Sequence, residues 1–145
     1  MSIKVGINGF GRMGRLGLRV GWAKNGYELV HVNEPAGSVD QAAHLLEFDS
    51  IHGRWDREIT SGLDQFSIDG VEIGYSMADT PEKIHWDELG VDIVLECSGR
   101  YKSLEELQPH FDSGAKKVIV SAPIKDPEAL NVVMGVNDHL YKHEQ

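Results

Sequence analysis

Apolar and polar residues alternate at the start of the chain, and the spacing of the apolar residues then changes to that of a helix. The alternation predicts a short buried strand from Ile3 to Asn8, with glycines directly after it. A helix is predicted to begin near Gly11 and to end at Asn25-Gly26, which is a typical stop signal. The apolar stripe of this helix consists of Met13, Leu16 and Val20. A second strand from Tyr27 to Asn33 completes a βαβ unit, in which the two strands run parallel.

The middle of the chain contains a second helical pattern and then a change to short strands. The helix is predicted over Val39 to Glu47. Between Glu58 and Tyr75, two short apolar stretches flank Asp69-Gly70, which is a strong signal for a two-residue hairpin. We therefore expect a small antiparallel excursion in this region.

Patterns typical of a parallel sheet return in the second half of the chain. They predict a strand from Val91 to Glu96, a helix from Ser103 to Phe111 with Ser103 as its N-cap, and a strand from Lys117 to Ser121. A last strand is predicted from Asn131 to Met134, ahead of a polar tail. Together the elements predict an α/β fold of the Rossmann type, with a doubly wound, mostly parallel sheet and a small antiparallel hairpin excursion.

Length and composition are those of one globular domain, which we expect to cover residues 1–145. The 23 acidic residues outnumber the 14 basic ones, and a net charge of -9 opposes attraction to nucleic acid and to anionic membranes. No apolar run approaches the length of a spanning helix. The charge and the lack of such a run together lead us to expect neither nucleic acid nor a membrane as a partner. The single cysteine, Cys97, excludes an internal disulfide and fits a reducing cytoplasm.

A Gly-x-Gly-x-x-Gly string connects the first predicted strand to the first predicted helix. In that context, backbone N–H groups and the positive end of the helix are able to hold a pyrophosphate. Gly9 would permit the tight turn, Gly11 the close approach of the phosphate, and Gly14 the close packing of helix on sheet. A glycine-rich turn without a ligand is the alternative.

Glu34 follows the second predicted strand, at the place where an acidic residue meets the adenosine ribose in such folds. Its carboxylate would accept hydrogen bonds from both ribose hydroxyls. The same charge would repel a 2′-phosphate, so the sequence favours NAD over NADP as the cofactor. The alternative is an ordinary solvated acidic residue in a loop.

Several motifs in order along the whole chain resemble the cofactor domain of the glyceraldehyde-3-phosphate dehydrogenase family. The first runs from Val5 to Arg15 and includes Asn8, which many other dinucleotide-binding folds lack. The others are Val32 to Pro35, Phe48 to Gly53, Glu96 to Gly99, Val118 to Pro123 and Met134 to Asn137. A different Rossmann oxidoreductase, such as a homoserine or semialdehyde dehydrogenase, would not be expected to match the later motifs.

The resemblance implies a set of cofactor contacts and no catalytic residue in this chain, and the spacing of the histidines does not indicate a metal site. It implies that the pyrophosphate is surrounded by Asn8, Gly9, Phe10, Gly11, Arg12 and Met13. It implies that Asn33 and Glu34 lie at the adenosine ribose. Ser98, Gly99 and Ser121 are implied to lie near the adenine or nicotinamide path across the sheet edge.

Three departures from the family pattern resemble a subgroup associated with arsenate resistance. Glu34 stands where the family usually has Asp, and an Arg often found beside the adenine is replaced near Met77 to Asp79. The usual Thr-Gly pair is replaced within Cys97 to Arg100. Such enzymes are thought to use arsenate as the acceptor, and nothing in these 145 residues distinguishes it from phosphate.

The chemistry implied by the resemblance needs a cysteine in a Ser-Cys-Thr-Thr-Asn type motif, and these 145 residues do not contain one. We therefore expect the catalytic domain, and with it the binding of glyceraldehyde 3-phosphate, to be absent from this chain. Cys97 ends an apolar strand and is expected to be a small buried hydrophobic residue. The chain alone is then inactive, and apolar surface left uncovered would favour a homo-oligomer. The alternative is a stand-alone nucleotide-binding or regulatory module.

Overall fold

A computed structural model describes residues 2–143 of the chain. It contains three α-helices: α1 (Arg12–Gly21), α2 (Val39–Glu47) and α3 (Leu104–Asp112). Nine strands run in the order β1 (Ile3–Asn8), β2 (Tyr27–Asn33), β3 (Phe48–Asp49), β4 (Gly53–Arg54), β5 (Ile59–Ser61), β6 (Gln65–Ile68), β7 (Val71–Ser76), β8 (Ile93–Glu96) and β9 (Lys117–Val120). Short 3-10 helices cover Pro81–Lys83 and Asp138–Leu140. No helix between residues 2 and 143 is long and apolar enough to cross a membrane.

Seven strands form one sheet in the order β5-β6-β7-β2-β1-β8-β9. β1 lies between β2 and β8, and both pairs are parallel, as are β2 with β7 and β8 with β9. The carboxyl ends of β1, β2, β7 and β8 therefore meet at one edge of the sheet, where a parallel α/β sheet binds its ligands. The predicted α/β, mostly parallel Rossmann architecture is confirmed.

The antiparallel excursion is also confirmed, and it extends the main sheet. β5, β6 and β7 pair antiparallel, and β7 then joins β2. Asp69 and Gly70 form the turn between β6 and β7, with φ of 51° and 81°, as a two-residue hairpin turn requires. The sequence analysis missed the separate two-stranded sheet of β3 and β4, since strands of two residues carry no readable pattern.

The predicted apolar stripe of α1 is wrong. Met13 and Val20 are 57% and 73% exposed, whereas Gly14 and Leu18 are the buried positions of this helix. A side chain at Gly14 would collide with the Gly9 carbonyl and contact Ile7. The absence of a side chain at Gly14 lets the helix lie close to the Gly9 loop and to β1, and the face that carries Gly14 and Leu18 is turned inward.

The strand predicted from Asn131 to Met134 is absent. The Asn131 side chain accepts from the Ile124 backbone N–H at 2.9 Å and donates to the Ile124 carbonyl at 2.8 Å. The Val133 N–H donates to the Asn137 side chain at 2.6 Å. A side chain therefore occupies the Val133 N–H, which a ladder would use, and turns begin at residue 134.

Buried apolar residues form two clusters, one on each face of the sheet. Strand β8 shows the division, because Ile93 and Leu95 pack against one cluster and Val94 belongs to the other. The larger cluster includes Leu18 of α1 and Leu46 of α2. The smaller one surrounds the fully buried Trp86. Helices thus cover the sheet on both sides, and the carboxyl edge between them remains open to a ligand.

Candidate functional site

The predicted site residues follow directly on the carboxyl ends of adjacent strands. Asn8 ends β1, Asn33 ends β2 and Glu96 ends β8. The glycine loop (residues 9–11), the acidic residue Glu34 and the turn at Ser98 come next in the three segments. The topology therefore brings together three motifs that are far apart in sequence.

The backbone conformation of the glycine loop is constrained by close packing against neighbouring backbone atoms. Gly9 has φ of 93°, and its N–H donates to the Asn33 carbonyl at 2.8 Å. A side chain at Gly9 would collide with the backbone of Cys97 and Ser98. The turn and helix-packing roles predicted for Gly9 and Gly14 thus agree with the geometry.

Gly11 differs from the other two glycines of the motif, since a side chain there would meet no atom within 4 Å. It is the N-cap residue of α1 and makes no side-chain cap. The first turn of α1 also contains no acidic residue. Free backbone N–H groups and the positive end of the helix dipole therefore face open space, which is the arrangement that binds a phosphate.

Glu34 is held by two backbone groups on opposite sides. One carboxylate oxygen accepts from the Phe10 N–H at 2.7 Å and the other from the Ala36 N–H at 2.9 Å. These bonds connect the acidic residue directly to the glycine loop. Each oxygen has a second lone pair, which remains available to a hydroxyl group of a ligand.

A cleft of about 710 Å³ opens beside the glycine loop and Glu34. It is lined by Phe10, Gly11, Arg15, Glu34, Ala36 and Tyr75, among others. The Tyr75 hydroxyl donates to the Gly37 carbonyl at 2.9 Å, and burial, together with the charge of Glu34, raises the pKa of Tyr75 to about 12. Tyr75 therefore lines the cleft with an uncharged hydroxyl group.

Two arginines follow the glycine loop, and sequence reasoning singled out only Arg12 as a cofactor contact. The Arg12 guanidinium lies 3.5 Å from Asp49 and 3.2 Å from the Ser50 hydroxyl. Arg15, which reasoning missed, lines the cleft and donates to the Phe10 carbonyl at 2.8 Å. Burial lowers the pKa of Arg15, but an arginine remains charged. The cleft therefore carries a fixed positive group next to the loop.

Not every predicted contact lies in this cleft. Asn8 and Asn33 are buried, and their amides bond to each other at 2.9 Å. Met13 is exposed on α1. Ser98 and Gly99 lie at the same sheet edge beyond β8, and the Ser121 N–H bonds to the Glu96 carbonyl at 2.9 Å beside them. The edge thus offers two regions, the cleft at Glu34 and the turns at Ser98 and Ser121.

Cys97 is partly buried and packs against the larger apolar cluster. Burial raises the pKa of its thiol, and the nearby Glu96 carboxylate raises it further, while a hydrogen bond from Ser121 acts in the opposite direction. A thiol in such surroundings carries little of the thiolate form that nucleophilic catalysis needs. Residues 2–143 also hold no group of three His, Cys, Asp or Glu side chains that could bind a metal.

Comparison with known proteins is consistent with this geometry. Residues 3–104 match the family model described as glyceraldehyde 3-phosphate dehydrogenase, NAD binding domain. The whole chain is 51% identical to glyceraldehyde-3-phosphate dehydrogenase 3 of Nostoc sp. and covers 43% of it. Over 97% of the chain it is 47% identical to glyceraldehyde-3-phosphate dehydrogenase of Heyndrickxia coagulans, covering 41% of that protein. The chain thus spans less than half the length of these curated relatives.

Proposed function

This chain belongs to the glyceraldehyde-3-phosphate dehydrogenase family and contains its NAD-binding domain, and from that premise we propose how it binds NAD. The pyrophosphate lies over the glycine loop at the start of α1, and the adenosine ribose lies at Glu34. The proposed contacts are Asn8, Gly9, Phe10, Gly11, Arg12, Met13, Asn33, Glu34, Ser98, Gly99 and Ser121, and Arg15 joins them because it lines the cleft.

One observation supports the proposal most directly, namely the attachment of Glu34 to the glycine loop. Because the Phe10 N–H binds this carboxylate at 2.7 Å, the ribose acceptor and the phosphate loop are held at a constant separation. A ligand that combines a ribose with a phosphate matches such a pair. A 2′-phosphate would meet the fixed carboxylate at short range, which favours NAD over NADP.

The bound nicotinamide would supply hydride-transfer chemistry, and the side chains described here bind and orient it. The phosphorylating oxidation of glyceraldehyde 3-phosphate, proposed for the whole protein, needs a thiolate nucleophile. Since burial raises the pKa of the Cys97 thiol, we assign that step to a cysteine in a catalytic domain outside these 145 residues. The protein is proposed to act in the cytoplasm, as a homo-oligomer.

Arsenate as an acceptor in place of phosphate is a finer proposal, and it rests only on a resemblance of sequence to the subgroup associated with arsenate resistance. Glu34 and the Cys97-Ser98-Gly99-Arg100 segment depart from the usual family pattern in the direction of the arsenate-associated subgroup. Because the two oxyanions differ little in charge and shape, assays of the whole protein with each oxyanion are the test. An enzyme that uses phosphate but not arsenate would contradict this proposal.

The NAD site is tested by calorimetric titration of the protein with NAD and with NADP. We expect NAD to bind more tightly, and Glu34→Ala to weaken NAD binding by about tenfold or more, because hydrogen bonds to a charged group contribute about 1.5–3 kcal/mol each. The same substitution should narrow the difference between NAD and NADP, since it also removes the repelling charge.

Glu28→Ala is the matched control, because Glu28 is an exposed residue of the same strand whose end carries Glu34. It should leave the affinity for both cofactors unchanged. NADP binding as tightly as NAD to the unmodified protein would contradict the assignment of Glu34. A stand-alone module without a catalytic partner is distinguished by the coding sequence beyond codon 145, where an in-frame Ser-Cys-Thr-Thr-Asn motif supports the enzyme.

A further inference from the structure

A chain of buried polar side chains runs beneath the carboxyl edge of the sheet. It lies on the face of the sheet that carries Trp86, and it has no role in the cofactor contacts assigned above, apart from its two asparagines. We call it the buried polar chain. Its members are the buried Trp86, His110, Glu96, Asn8 and Asn33 and the partly buried Ser76.

One arm of the buried polar chain fixes the state of His110. The indole N–H of Trp86 can only donate, so the His110 Nδ1 atom, 3.0 Å away, must accept. The His110 Nε2 atom then carries the proton and donates to Glu96 at 2.9 Å. A protonated imidazole would direct a second N–H at the indole N–H, and so this contact requires neutral His110.

The other arm fixes the orientation of two amides. The Asn33 amide bonds to both backbone groups of Ala78, accepting from its N–H at 2.8 Å and donating to its carbonyl at 3.0 Å. Its second N–H then donates to the Asn8 oxygen at 2.9 Å. The Asn8 amide is left to donate, and it does so to Glu96 at 2.6 Å.

Both arms therefore end on the carboxylate of Glu96. It accepts from Asn8, from His110 and, at 2.7 Å, from the backbone N–H of Ser98, while its side chain is fully buried. Burial by itself raises the pKa of Glu96, but the hydrogen bonds from His110, Asn8 and Ser98 outweigh it and hold the pKa below the ordinary value. The group is a carboxylate with only donors around it.

The buried polar chain binds residues at the points where the loops of the site leave their strands. Asn8 precedes the glycine loop and Asn33 precedes Glu34. Ser98 begins the turn after β8, and Ala78 lies in the segment after β7. A buried ionised group is a poor source of stability compared with an apolar core. The Glu96 carboxylate lies where the segments after β1, β2, β7 and β8 come together, and this position favours a role in shaping the site.

We propose that Glu96 and His110 are positioning residues for the cofactor: they hold the glycine loop, Glu34 and the Ser98 turn in the binding geometry before NAD arrives. This inference rests on the proposed NAD site. Because neither side chain reaches the surface, they act through the residues they bind at the starts of the loops. Binding to a preformed site avoids the entropy cost of ordering its loops.

Glu96→Gln tests the proposal with almost no change of shape. A carboxamide has a single oxygen, so it cannot satisfy the Ser98 N–H together with Asn8 and His110, and one donor must face another donor. We expect NAD binding, measured by calorimetry, to weaken by about tenfold, or about 1.4 kcal/mol. Urea unfolding of the same samples separates this loss from a loss of stability.

Asp92→Asn is the matched control, because it replaces a carboxylate by a carboxamide directly before the first residue of β8. Asp92 accepts from the Lys4 N–H at 2.9 Å and from Lys116 at 2.5 Å, far from the cofactor edge. It should keep the NAD affinity of the unmodified protein whatever it does to stability. Equal losses of affinity in both variants, or no loss in Glu96→Gln, would overturn the proposal.

Trp86→Phe keeps the proposal testable if Glu96→Gln does not fold. Long-range proton–nitrogen NMR spectra of the unmodified protein should show His110 protonated at Nε2 only. Without the indole donor, we expect that signature to change and NAD affinity to fall by about threefold. A changed His110 signature with unchanged affinity would overturn the positioning role. If the unmodified protein does not bind NAD at all, the proposed function itself fails.

Discussion

At the scale of single residues, the three glycines of the Gly-x-Gly-x-x-Gly motif have different physical reasons to be glycine. Gly9 and Gly14 lie against backbone atoms and would collide with them if either carried a side chain. Gly11 has no protein atom near it, so the folded chain does not require a glycine there. In the proposed NAD site the pyrophosphate requires it, which makes position 11 a direct probe of that proposal.

We expect Gly11→Val to fold with little change in stability and to lose NAD affinity by at least tenfold, about 1.4 kcal/mol. A valine side chain would stand where the pyrophosphate must approach the backbone. Calorimetric titration and urea unfolding measure the two quantities. Gly17→Val is the control, because position 17 is equally open but lies further along α1. A folded Gly11→Val protein with normal NAD binding would show that this loop is not the phosphate site.

At the scale of elements, a buried histidine connects two neighbouring strands. His31 of β2 lies within 2.8 Å of the Ser76 hydroxyl at the end of β7 and packs edge-on against Trp86. Burial lowers the pKa of His31 from 6.5 to about 4. The folded protein therefore keeps this side chain neutral at pH values where the unfolded chain protonates it.

The consequence is a loss of stability in mild acid. The unfolded chain binds more protons than the folded one between about pH 6.5 and about pH 4, so the free energy of unfolding must fall as the pH falls through that range. Between pH 7 and pH 5 we expect a loss of about 2 kcal/mol, since one pKa unit corresponds to about 1.4 kcal/mol. Urea unfolding at both pH values measures it. His31→Gln should remove most of the difference, and a variant with the full pH dependence would contradict this account.

At the scale of the whole molecule, the groups that line the cleft lie apart from the single cysteine. The fixed carboxylate, the open start of α1 and Arg15 surround one cleft. The only cysteine lies apart from it, partly buried and with a raised thiol pKa. The cleft proposed for the cofactor therefore does not include this thiol.

We expect these 145 residues to bind NAD and to form no NADH when glyceraldehyde 3-phosphate and either phosphate or arsenate are added. Without a reactive thiolate, no aldehyde is held from which a hydride could be taken. Absorbance at the NADH band measures turnover, and thermal denaturation with NAD confirms that the same sample binds the cofactor. NADH formation that disappears in Cys97→Ala would make Cys97 the nucleophile.

Local patterns in the sequence were sufficient where a feature depends on neighbouring residues. The strands Ile3–Asn8 and Tyr27–Asn33, the helix Val39–Glu47 and the Asp69-Gly70 turn agree with their predictions. The Gly-x-Gly-x-x-Gly spacing also placed the loop between β1 and α1. Strand alternation, helical spacing and turn preferences are short-range effects, and the sequence carries them directly.

Tertiary structure decided the features that depend on residues far apart in the chain. The inward face of α1 was set by the contact of Gly14 with the Gly9 loop, which outweighed the apolar stripe through Met13 and Val20. The strand predicted at residues 131–134 did not form, and the Val133 N–H bonds to the Asn137 side chain instead. The contacts of Glu96 with Asn8 and with His110 could not be read from the spacing of residues. Asn8 is 88 residues from Glu96 and lies on the neighbouring parallel strand, and His110 is 14 residues from Glu96 and lies on a helix. The sequence thus determined most of the elements and the cofactor class, whereas only packing decided which side chains are buried and which of them meet.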